Sequence, residues 1–97
     1  MEGQYLQKVL AGDSNAFRYF VQKYQDMAFS ISMSVTRSEL VSEEAVQDAF
    51  VKAFQNIRKF KGKSKFSTWF YRIVVNESLR KVQRKKLATT NVDNFNA

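Results

Sequence analysis

The 97-residue chain has no cysteine, no histidine, no proline and only three glycines. Without cysteine there is no disulfide framework and no thiolate metal site. Without histidine the commonest zinc ligand and the commonest general base are missing as well. Catalysis, a bound metal and a cofactor are therefore not expected. No apolar run approaches the roughly 20 residues of a membrane span. The opening MEGQYLQKVL lacks the basic and apolar regions of a secretory signal. The chain reads as cytoplasmic. With chain-breaking positions limited to Gly3, Gly12 and Gly62, an all-α fold with short connections is favoured. The length suits one domain with a single modest core.

What is present is charge, and it is segregated. Residues 58–86 carry eleven Lys or Arg against one acid, Glu77, a net of +10, whereas residues 1–57 carry five bases against seven acids, a net of −2. The basic segment is threaded with Phe60, Phe66, Trp69, Phe70 and Tyr71. Positive charge that releases counterions from a polyanion, beside flat apolar faces, is the combination used to bind single-stranded nucleic acid. The plainer reading, in which the rings are core and the charges a solvated face, stays open for each residue. A membrane-surface helix is disfavoured, because Val82 is the one apolar residue between Arg80 and Lys86.

Helical periodicity runs through the chain. Tyr5, Leu6, Val9 and Leu10 repeat at helical spacing and stop at Gly12, which predicts a short first helix. Asp13 or Ser14 is suited to cap the second, whose apolar positions Phe17, Phe20, Val21, Tyr24, Met27, Ala28, Ile31 and Val35 span six turns. A third helix is predicted after Ser42 as cap, with Glu43 and Glu44 in its first turn, where the helix dipole favours acids. Its inward stripe is Val46, Ala49, Phe50, Ala53 and Ile57, with Phe54 on the flank.

A loop, Lys61 to Lys65, leads to a fourth helix over about 66–86, capped by Ser67 or a neighbour and packed through Trp69, Phe70, Ile73 and Val74. Trp69 and Phe50 are expected to be buried between the third and fourth helices. The half that carries Arg80, Lys81, Arg84, Lys85 and Lys86 is too polar to pack. Residues 88–97 read as the start of a linker or a disordered tail after a domain at 1–87. The expected architecture is a compact bundle of three long helices plus the short N-terminal one.

The third helix has a second face. Glu44, Gln47, Asp48 and Val51 fall at i, i+3, i+4 and i+7 and form one acidic, amide-bearing stripe that includes an apolar residue. An apolar residue there suggests contact with a partner. An ordinary solvated face is the alternative.

The segment from Ser42 to Phe54, SEEAVQDAFVKAF, followed by Phe60, Gly62, Phe66, then Thr68-Trp69-Phe70-Tyr71-Arg72-Ile73 and Asn76, resembles region 2 of bacterial extracytoplasmic-function (ECF) sigma factors of the sigma-70 family. The opening Val9 to Asp13 with Ala16, Phe17 and Tyr24 is similar to the start of such proteins. The resemblance implies a non-enzymatic domain with two partners. Glu43, Glu44, Gln47, Asp48 and Val51 match the motif that binds the β′ clamp helices of core RNA polymerase. Lys61, Lys63, Ser64, Lys65, Phe66, Arg72 and Asn76 fall where the minus-10 promoter element is recognised and melted, with a base of the non-template strand flipped out and held near the 61–66 loop. Arg80, Arg84 and Lys85 are then expected on phosphate.

An anti-sigma factor is a further expected partner. The alternative to promoter binding is an interaction module sequestered by such a factor, with no DNA binding of its own. A second domain reading the minus-35 element is expected beyond residue 97, so the chain reads as one part of a longer protein.

Overall fold

The computed structural model describes residues 1–60 and 64–96, with side chains to Leu87. Four helices appear in order, α1 (Glu2–Leu10), α2 (Arg18–Thr36), α3 (Glu39–Gln55) and α4 (Phe66–Asn96). Short 3₁₀ turns at Ser14–Phe17 and Ile57–Lys59 supplement them, and there is no strand among the described residues. The fold is all-α. The three long helices each pack on the other two, while α1 folds back on the first 3₁₀ turn.

The helix ends follow local chemistry. Gly12 takes φ +105°, and its N–H and that of Asp13 bond to the carbonyls of Val9 and Lys8, at 3.0 and 2.9 Å. This is the paired C-terminal closure that a left-handed glycine permits. Asp13 then accepts from the Asn15 N–H and starts the 3₁₀ turn that feeds α2. Arg37, left-handed at φ 56°, closes α2. Ser38 caps α3 by accepting from the Val41 N–H.

That cap corrects the predicted start after Ser42. Ser42 lies inside α3, fully buried, with its hydroxyl 2.6 Å from that of Thr36. The helix starts earlier because the two-residue turn at Arg37 and Ser38 already supplies both a stop and a cap. Ile57 has left α3 for the second 3₁₀ turn, yet remains buried. Ser67 lies within α4 and is not its cap, since α4 begins at Phe66. The α4 backbone continues to Asn96, past the expected end near 86, and no break marks residue 87. No Pro or Gly follows Gly62 to stop it.

The core is a stack of rings at one end of the bundle. Phe66, 3% exposed, sits 4.4 Å from Phe20 and 5.6 Å from Phe70 by ring centroid, and Phe70 lies 4.6 Å from Phe50. At the other end small residues replace rings. Ser42 and Ala45 are fully buried there, and the Ser78 hydroxyl donates across 2.8 Å to that of Ser32. Phe50 is buried as expected, but Trp69 is only half-buried. It stacks on Phe60 at 5.2 Å, on the shoulder of the core rather than between α3 and α4. The α4 register explains this, because Phe70, Val74 and Ser78, four residues apart, take the inward line.

A separate clasp holds α1. Glu2 accepts from the Tyr24 hydroxyl at 2.5 Å and from Lys23 at 3.0 Å, and Tyr5 stacks on Tyr19 at 4.2 Å. Burial pushes the Tyr24 hydroxyl up to about 12, and its bond to Glu2 adds to the rise. Burial alone would raise the Glu2 carboxyl, but the hydrogen bonds from Tyr24 and Lys23 outweigh it and hold the group below its ordinary value.

Candidate functional site

Residues of α3 that its core-facing alanines turn outward make the first surface. Glu44, Gln47, Asp48 and Val51 are all exposed, Val51 at 55%. Glu43 is exposed on the neighbouring edge, where it lines a groove between α2 and α3 with Asp26, Phe29 and Val46. The acids of the stripe are not left to solvent alone. Lys81 Nζ, from α4, lies 2.8 Å from Asp48 and 3.9 Å from Glu44. One turn away Glu77, the single acid of the basic segment, is buried with its Oε2 3.6 Å from Lys52 Nζ and 3.5 Å from Arg80. Arg80 and Glu77 are an i,i+3 pair within α4, whereas the pairs that Lys81 and Lys52 make depend on how α3 and α4 are placed side by side, and no spacing along the chain announces those.

The second surface is the outer side of α4. Arg72, Asn76, Arg80 and Arg84 follow at four-residue steps, all exposed, and wind slowly round the helix; Lys85 is exposed beside them. Ser64 and Lys65 are exposed just before the helix. Lys61 and Lys63 lie outside the described residues. Phe66 needs correction. Expected as the aromatic edge of a base-capturing loop, it is instead the first residue of α4, enclosed by Phe20, Tyr24, Phe60, Trp69 and Phe70. A phenyl ring beside so many others gains more from the core than from solvent.

The ring that the basic segment does present is Tyr71, 51% exposed. With Met27, Ser67, Thr68 and Arg72 it lines a shallow depression between α2 and the start of α4. Hydroxyls, a guanidinium and an apolar floor around a half-exposed ring can hold a flat heterocycle by stacking and hydrogen bonds. Tyr71 stands among the rings counted in the basic segment but not in the promoter-reading set expected from the sequence; its i+3 and i+4 relation to Thr68 and Ser67 was the available signal.

The family described as Sigma-70 region 2 matches residues 20–87. The chain is 33% identical over 81 residues to the ECF RNA polymerase sigma factor SigW of Bacillus subtilis, covering 84% of this chain and 43% of that protein. To the ECF RNA polymerase sigma-E factor of Haemophilus influenzae it is 39% identical over 72 residues, covering 73% and 37%. The chain thus spans less than half the length of these relatives. Among solved structures, the NMR structure of an engineered region 2 of sigmaE in complex with GTAAAA is similar with a TM-score of 0.82 at 31% identity, over 89% of this chain and 90% of that one.

Proposed function

Since the chain belongs to the sigma-70 region 2 family and is a region 2 of the ECF kind, we propose that it brings RNA polymerase to promoters by joining two surfaces, the α3 stripe on the polymerase and the α4 side on minus-10 DNA. The observation that carries this reading is the separation of charge on adjacent helices. Glu44 and Asp48 are exposed on α3, while Arg72, Arg80 and Arg84 are exposed on α4. Glu43, Glu44, Gln47, Asp48 and Val51 take the β′ clamp helices, where an acidic face selects a basic partner and a wrong charge costs several kcal/mol.

On the DNA side, Arg80, Arg84 and Lys85 contact phosphate, which fixes register without reading sequence. Discrimination comes from residues 61–65, Arg72 and Asn76, acting on a non-template base drawn out of the stack. Tyr71, in place of Phe66, supplies the stacking face. Such a domain works in the cytoplasm, with polymerase and promoter as partners and an anti-sigma factor competing for the same surfaces.

Fluorescence anisotropy with a labelled single-stranded GTAAAA oligonucleotide at several salt concentrations tests the DNA half. Tyr71→Ala is expected to cost about 1–3 kcal/mol of affinity at every salt concentration, the worth of one stacked base. Arg84→Ala is expected to lower the log–log salt slope by about 0.7. Binding of the duplex as tight as that of the single strand would defeat base extraction. No DNA binding at all would favour the anti-sigma module. For the other half, Glu44→Arg with Asp48→Arg is expected to abolish capture of core polymerase without loss of helicity.

A further inference from the structure

Building on the proposed polymerase-docking role of the α3 stripe, we infer that Lys81 is a latch shared by the two surfaces. It holds Asp48 and Glu44 in the free domain and is released toward DNA phosphate when polymerase takes those acids. The geometry is asymmetric. The Lys81 side chain is 20% exposed, whereas Glu44 and Asp48 remain 60% and 50% exposed. The lysine is thus committed to the acids, yet the acids still present open faces that a basic partner can reach. Lys81 stands on the same helix as Arg80, Arg84 and Lys85. A short swing of a flexible four-carbon stem moves its charge from the α3 side toward theirs.

Two like charges at i and i+4 repel each other, and Lys81 relieves that repulsion in the absence of a partner. It also neutralises part of the attraction that the stripe offers to a basic surface. The latch therefore lowers affinity for polymerase by the fraction of time it is closed. By reciprocity, polymerase on the acids raises the affinity for DNA, and DNA on Lys81 raises the affinity for polymerase. The pair of Lys52 with Glu77, which joins α3 to α4, does not involve Lys81 and stays in place while Lys81 moves.

The chain is titrated with core RNA polymerase as wild type, Lys81→Gln, Lys81→Arg and Lys86→Gln. Lys81→Gln is expected to bind roughly two- to fivefold tighter, the scale of one exposed ion pair. Lys81→Arg, which keeps the pair, and Lys86→Gln, which removes the same charge further along α4, are expected to bind as wild type. Unchanged or weaker binding of Lys81→Gln overturns the latch, as does equal tightening by Lys86→Gln.

A second arm needs no polymerase. Glu44→Gln with Asp48→Gln frees Lys81 and is expected to strengthen single-stranded DNA binding about twofold or more beyond Glu39→Gln with Glu43→Gln, which makes the same charge change on the same helix. Equal gains from the two pairs overturn the latch. Failure of wild type to bind core polymerase overturns instead the docking reading beneath it, and the DNA arm then decides whether Lys81 is held at all.

Discussion

Around the first turns of α2 and α4 the helices are separated by large rings, with Phe17, Phe20, Phe66 and Phe70 buried there against Phe50. Around the α2–α3 turn and the middle of α4 they meet through Ala45, Ser32, Ser42 and Ser78, all fully buried. The rings contribute apolar area, at roughly 25 cal/mol per Å² removed from water. The small residues contribute closeness. Short side chains let Ser78 on α4 reach Ser32 on α2 and let Thr36 reach Ser42. That closeness also brings Lys81 within reach of the α3 acids, so the end of the bundle with the least apolar bulk is where the two charged surfaces meet.

The largest effect expected from breaking this contrast is at the ring end. Phe70 touches Tyr24, Phe50 and Phe66 and has no exposed surface. Phe70→Ala is expected to destabilise by about 3–5 kcal/mol in urea or thermal unfolding, a large share of the total for a domain of this size. Trp69→Ala is expected to lose less, since the indole is only partly buried. Equal losses at both positions would mean that the ring stack is centred on the shoulder and not on the α2–α3–α4 axis.

The ring end was legible because bulk repeats. Phe17, Phe20, Tyr24 and Ala28, or Phe50 and Ala53, stand at spacings that a 3.6-residue period explains. The hydroxyl end was not. Serine is polar by composition and common at helix starts, so Ser42 resembled a cap, while its burial depends on Thr36 across a turn whose stop, Arg37, is a left-handed residue with no glycine to announce it. The α3 stripe could be placed by period alone, and its exposure agrees. What spacing could not show was Lys81, because that pair is made by packing two helices. For the same reason an aromatic beside a loop looked available at Phe66 although the core had taken it, and Phe66 was preferred to Tyr71 among the rings of the basic segment.

At the hydroxyl end the expected loss is smaller and of a different kind. Ser78→Ala leaves the Ser32 hydroxyl buried without its partner, at a cost of about 1–3 kcal/mol. The lower part of that range holds if Ser32 turns back to a carbonyl of its own helix. Replacing both serines by alanine removes the unmet group, so the double variant is expected to lose less than the sum of the single losses. Additive losses in denaturant titrations of the four proteins would show that the two hydroxyls do not depend on each other.

The smallest effect is expected at the α1 clasp, which lies outside both ends. The Glu2 carboxyl is held below its ordinary value in the folded chain, so its contribution is present above the unfolded pKa and is lost as pH falls through the lower folded one, in the acid range below 4.5. Tyr24 is raised, so its contribution is present below the ordinary tyrosine value of 10 and is lost as pH rises toward about 12. Allowing for solvent screening at a partly exposed carboxylate, Glu2→Gln is expected to cost under about 1 kcal/mol near neutral pH. It should cost almost nothing in strong acid, where the wild-type carboxyl is itself protonated. A direct readout exists in the tyrosinate absorbance. Tyr24 is expected to ionise near 12, and Glu2→Gln should bring it part of the way back, because burial remains when the carboxylate is gone. A Tyr24 that ionises at the same pH in the wild type and in Glu2→Gln would show that α1 is not clasped to α2 in this way.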